Sequence, residues 1–103
     1  MTEPSLGPVR IVGVGLLGTS IGLALRTHGV DVQLADASPT HVRIAADYGA
    51  GRPAEPGDHP TLVFVCVPPD VTAQVVEAEL ASYPHATVVD VASVKGSILH
   101  QLQ

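Results

Sequence analysis

The sequence predicts an α/β domain built on a doubly wound, mostly parallel sheet, with residues 1–103 forming one unit. Three observations point there. Short valine-rich runs alternate with stretches of helical periodicity. The runs are apolar on both faces, as strands of a covered parallel sheet must be. Glycine or proline stands at nearly every junction between them.

Residues 9–14 are a β-branched run, expected to be a buried strand. A helix is predicted over 16–28, with Leu17, Ile21, Ala24, Leu25 and His28 on one stripe, and Gly29 ends it. Residues 31–36 read as a second strand. Ser38 then caps a helix with Pro39 at its first position, where a missing N–H costs nothing, and the helix runs over 41–48 to Gly49. Residues 49–60 hold three glycines and three prolines, so an irregular connection is expected, with one short edge strand near 51–54. Residues 61–67 are the most apolar run and stop at Pro68 and Pro69. Asp70 is expected to cap a helix over 71–81. Residues 87–91 give the last strand, and Ser93 caps a final helix over 94–102.

This order predicts strand order 3-2-1-4-5, with alternate helices expected on opposite faces. Ligands of such sheets bind beyond the carboxyl ends of the strands, where strand order reverses. The segments expected at that rim are residues 13–18, 36–38, 67–69 and 90–93.

Composition narrows the function. Hydrophobic residues make up 46% of the chain and charged residues 15%, which excludes intrinsic disorder. With only Phe64, Tyr48 and Tyr83 as aromatics, the core must be aliphatic. The net charge of −5, without any basic cluster, argues against nucleic acid as a partner. The polar residues 1–8 do not read as a signal peptide, and no apolar stretch reaches the roughly 18 residues of a membrane span. A cytoplasmic location is therefore expected. Cys66, the one cysteine, reads as a small buried hydrophobe. The histidines at 28, 41, 59, 85 and 100 share no metal-ligand spacing, and none is placed as a convincing general base.

The first junction carries the strongest signal. Gly13, Gly15 and Gly18, with Val14, Leu16 and Leu17 between them, spell G-x-G-x-x-G between a strand and a helix. Gly13 allows the tight turn, Gly15 admits a pyrophosphate to the backbone, and Gly18 lets the helix lie close to the strand. The free N–H groups of the helix start face the phosphates. Asp36, at the end of the next strand, can accept hydrogen bonds from both adenine-ribose hydroxyls, flanked by Ala37 and Ser38. A carboxylate there also repels a 2′-phosphate, so NAD is the expected cofactor of this Rossmann-type unit. Arg43 is the basic residue nearest by sequence and keeps NADP open. Val67, Pro68 and Pro69 form a stiff apolar rim that can pack along a cofactor or simply end the strand.

A second constellation, Asp90-Val91-Ala92-Ser93-Val94-Lys95-Gly96, falls at the same rim. Spacing leaves two uses for Ser93, as a helix cap or as a contact to a substrate hydroxyl. It also leaves two for Lys95, as a solvated side chain or as an attractor of an anionic substrate.

The run Val12-Gly13-Val14-Gly15-Leu16-Leu17-Gly18-Thr19-Ser20-Ile21-Gly22-Leu23-Ala24-Leu25, taken with Cys66-Val67-Pro68-Pro69 and the segment 90–96, resembles the cofactor domain of prephenate and arogenate dehydrogenases. The resemblance covers essentially the whole chain but only the amino-terminal part of those enzymes. It implies oxidative decarboxylation of prephenate or arogenate with NAD(P)⁺, in tyrosine biosynthesis. It also implies that Ser93 contacts the hydroxyl of the substrate ring. In that family a catalytic histidine and a helical dimerisation domain, which completes the substrate pocket of a homodimer, lie further along the chain. This sequence is expected to bind the cofactor and to be inactive by itself. Two other functions fit the glycine turn and Asp36: a regulatory module that senses NAD, and the cofactor domain of a β-hydroxyacid-type dehydrogenase.

Overall fold

A computed structural model describes residues 7–91. The elements in order are β1 (Val9–Val12), α1 (Leu16–Arg26), β2 (Val32–Ala35), α2 (Pro39–Asp47), β3 (Arg52–Pro53), β4 (Leu62–Val65), α3 (Pro69–Ser82) and β5 (Thr87–Asp90). All strand pairings are parallel and the order is β3-β2-β1-β4-β5, as the sequence predicts. The last predicted helix lies outside the described residues. No helix among the described residues is long and apolar enough to cross a membrane.

In parallel register Val9, Val32 and Leu62 lie side by side, as do Ile11, Leu34 and Phe64. Alternation along each strand puts both rows on one face. Val9, Ile11, Val32 and Leu34 are almost fully buried there, with Ala45 of α2, and Ile21 and Leu25 of α1 pack against them. Burying each Val, Leu or Ile contributes about 1.5–3 kcal/mol. The opposite row of Val63 and Val65 is equally buried on the α3 side.

This placement corrects the expected alternation of helices. α1 and α2 share one face, and α3 lies on the other. The strand order advances in one direction from β1 to β3, so two right-handed crossovers pass over the same face. The face changes only in the second half, where the order runs the other way.

The buried stripe of α1 is also rotated from its expected position. Gly18 and Gly22 are buried, Leu17, Ile21 and Leu25 are half-buried, and Ala24 and His28 are exposed. A β-carbon on Gly18 would collide with the carbonyl of Gly13, and one on Gly22 with the carbonyl of Ala50. The helix backbone therefore lies directly against the turn after β1 and the bend at Ala50. Strand ends fall one or two residues short of the apolar runs, because each run continues into the turn beyond. Asp70 does not cap α3. Proline is favoured at a first helical position, so Pro69 starts the helix with Pro68 as cap, and Asp70 sits in the first turn.

The connection over 54–61 carries no helix, and charges occupy the sheet face near it. Arg10 of β1 donates from Nε to Oε1 of the buried Glu79 on α3 at 2.6 Å, and its guanidinium lies 5.1 Å from the Tyr83 ring centroid. Arg52 of β3 donates to Asp58 at 2.8 Å and to Asp31 at 3.1 Å. Gln33, in register with both arginines, is buried between them.

Candidate functional site

The glycine turn opens where β1 ends. Gly13 stands at φ +94°, and a β-carbon there would come within 2.6 Å of the carbonyl of Cys66. Only glycine meets both conditions, the left-handed backbone and the close approach. Its N–H donates to the carbonyl of Ala35 at 2.8 Å, so the turn is held against β2. Gly15 caps α1 without any side-chain hydrogen bond, and the first turn of the helix carries no acid. The positive end of the helix dipole is therefore left to an external anion. A β-carbon on Gly15 would meet nothing within 4 Å, so this backbone faces open space. The cradle fits a phosphate group.

Asp36 lies one residue beyond β2 and is half-buried. Its Oδ2 accepts from the N–H of Val14 at 2.8 Å, and its Oδ1 accepts from the N–H of Ser38 at 2.8 Å. A carboxylate has about four acceptor positions, so roughly two remain for a ligand. Ser38 caps α2 as expected, accepting from the N–H of His41 at 3.4 Å.

These groups share one open cleft of about 1000 Å³. It brings together Gly13, Gly15, Leu16, Leu17, Asp36, Ala37, Val67, Pro68 and Pro69, nine of the residues singled out from sequence. Gly18 lies beneath the turn and packs on Ile11, and Ser38 supports Asp36 from the side. Ser93 and Lys95 lie outside the described residues.

The cleft also contains residues that sequence reading missed. Val71 and Val75 of α3 extend its apolar wall, and Cys66 forms part of its floor. The Cys66 side chain is half-buried rather than buried. Loss of solvent, and then the charge of Asp90, push its thiol up to about 11, so it stays protonated and inert. His41 is the more informative omission. Its Nδ1 lies 3.5 Å from Oδ1 of Asp36. Arg43, the basic residue that sequence places nearest, belongs to a neighbouring groove. A signal was available in the capping-box pattern, where the third helical residue reaches back over the cap, and His41 occupies that position after Ser38.

Fold and cleft together define a nucleotide-binding α/β domain of the doubly wound class. Comparison with known proteins gives its family. Residues 21–103 match the family described as prephenate dehydrogenase, nucleotide-binding domain. The chain is 46% identical over 92 residues to the "Probable prephenate dehydrogenase NovF" of Streptomyces niveus, a stretch that is 89% of this chain and 25% of that protein. The chain therefore belongs to the prephenate dehydrogenase family, and it spans about a quarter of that relative's length.

Two solved structures share the fold. The prephenate dehydrogenase of A. aeolicus, crystallised with hydroxyphenyl propionate and NAD⁺, superposes with a TM-score of 0.74 at 24% identity, over 84% of this chain and 34% of that one. The arogenate dehydrogenase of Synechocystis gives 0.69 at 22% identity, over 79% of this chain and 31% of that one.

Proposed function

We propose that this chain is the NAD-binding domain of a prephenate or arogenate dehydrogenase, acting in tyrosine biosynthesis within a larger homodimeric enzyme. The observation that carries this reading is the convergence of the glycine turn, the uncapped start of α1 and Asp36 on one cleft beyond the carboxyl ends of the strands. The A. aeolicus relative, crystallised with NAD⁺, supports the choice of cofactor.

In this reading the backbone of Gly13, Gly15, Leu16 and Leu17 receives the pyrophosphate, with Gly18 keeping α1 close beneath it. Asp36, with Ala37 and Ser38, holds the adenine ribose. Val67, Pro68 and Pro69 pack along the nicotinamide half and exclude water there. Bound NAD⁺ supplies a hydride acceptor. Ser93 contacts the hydroxyl of the substrate ring, and Lys95 attracts its carboxylate.

Proton removal from that hydroxyl needs a base, and among the described residues the one imidazole of the cleft, His41, lies at the opposite, adenosine end. The 103-residue chain accordingly binds the dinucleotide and does not oxidise prephenate. Calorimetric titration with NAD⁺, beside an assay for prephenate-dependent NADH formation, tests both halves. Absence of binding at millimolar NAD⁺ defeats the cofactor assignment, and turnover by the isolated chain defeats the assignment of catalysis to further residues. Ser93→Ala in the longer enzyme separates a dehydrogenase, which loses rate or substrate affinity, from a cofactor sensor, which does not.

A further inference from the structure

His41 is the only basic side chain lining the cleft among the described residues. Its side chain is 60% exposed, its backbone N–H donates to Ser38 Oγ, and its ring Nδ1 stands 3.5 Å from Asp36 Oδ1. The same oxygen already accepts the N–H of Ser38. The imidazole therefore occupies the approach to a remaining acceptor position that a ribose hydroxyl needs.

A 2′-phosphate on the ribose meets the opposite balance. Asp36 repels it, since like charges at this range raise the energy of the complex. His41 offers it a donor, beside the hydroxyl of Ser38 and the positive end of the nine-residue helix α2. With 60% of its side chain exposed, the imidazole is not packed in place beside the carboxylate.

We propose that His41 is a specificity-determining residue of the adenosine subsite, one that competes with unphosphorylated ribose for Asp36 and admits a 2′-phosphorylated dinucleotide to the same cleft. The proposal rests on the nucleotide-binding reading given above.

Adenosine 2′,5′-bisphosphate and AMP are suitable probes, because they differ only in the 2′-phosphate. Titration of each into the wild-type chain, His41→Ala and His41→Arg gives the ratio of their affinities. A charge-assisted contact of ordinary strength predicts that His41→Ala shifts the ratio toward AMP by about tenfold. His41→Arg is expected to shift it the other way. Thermal unfolding of each variant establishes that it is folded. If AMP binds but the ratio is the same in all three proteins, His41 has no such role and the nucleotide site stands. If neither probe binds the wild-type chain, the nucleotide-binding reading itself fails, and this proposal with it.

Discussion

Oδ2 of Asp36 accepts a hydrogen bond from the backbone N–H of Val14 at 2.8 Å, which ties the end of β2 to the glycine turn after β1. The acid that sequence reading assigns to ribose recognition thus also holds the loop assigned to the pyrophosphate. Loss of the carboxylate should damage both. Asp36→Ala is expected to lower unfolding stability by about 2 kcal/mol, the ordinary worth of hydrogen bonds to a charged group. It should also weaken NAD⁺ binding by more than about tenfold. Asp36→Asn keeps one oxygen acceptor and should lose less of each. Urea midpoints and dinucleotide titration measure the two effects, and a variant unchanged in both would dissociate Asp36 from the loop.

Gly15 and Gly18 separate binding from folding. Gly15 faces open space at φ −73°, a conformation open to any residue, whereas a β-carbon on Gly18 collides with the carbonyl of Gly13. Gly15→Ala should keep its stability within about 1 kcal/mol, since a poorer cap is offset by a less flexible unfolded chain, yet lose dinucleotide affinity. Gly18→Ala should lose about 2–3 kcal/mol through overpacking, and affinity with it. Equal unfolding midpoints for the two variants would contradict the packing described.

Much of this was legible in sequence, and the reason is local. The turn from β1 into α1 is specified by residues within a few positions of one another, so spacing alone reveals it. The strand order followed from element order and handedness. The ion pairs were not legible, because Arg10 and Glu79 stand 69 positions apart and only the fold brings them together. β3 was visible only as a break in irregular sequence, since a two-residue edge strand carries no period. Pro69 displaced Asp70 as the start of α3 because proline's fixed φ suits a first helical position, a local rule that competes with the preference for an acidic cap.

Glu79 is 7% exposed and its partner Arg10 is mostly covered. Glu79→Ala leaves the guanidinium without its counter-charge and should cost about 3 kcal/mol. The double replacement Arg10→Met with Glu79→Leu, which removes both charges and keeps volume, should recover most of that loss. A thermodynamic cycle over Arg10→Met, Glu79→Leu and the double variant provides the check, with zero coupling as the contrary result.

Acid should loosen the connection over 54–61. The Arg52 guanidinium, helped by the N–H of Glu55, holds the Asp58 carboxyl below its ordinary value of 3.8. A carboxyl lowered in the folded state contributes its stability fully above that ordinary value, and the contribution is lost as pH falls through the lower folded value. Stability should therefore decline below about pH 4, and Asp58→Asn should remove part of that slope while lowering stability at neutral pH. Parallel acid titrations followed by circular dichroism would show it; identical slopes would assign the acid sensitivity elsewhere.

The Cys66 thiol, raised to about 11, should be almost unreactive at pH 8, where about one molecule in a thousand carries the thiolate. Slow labelling by a disulfide reagent in the folded chain, and normal labelling in urea, is the expected pattern. Labelling of the folded chain at the rate of a free thiol would contradict it.

The two faces of the sheet answer to different features of the solvent. The face under α1 and α2 is closed by aliphatic contacts, which salting-out anions such as sulfate reinforce. The face crossed by Arg10 and Arg52 is closed partly by charge, and the Arg52–Asp31 pair is open enough to water for simple salts to screen it. The thinly held edge of β3, beside the groove lined by Asp36 and Arg43, is thereby the part of the domain whose order tracks the ionic strength around it.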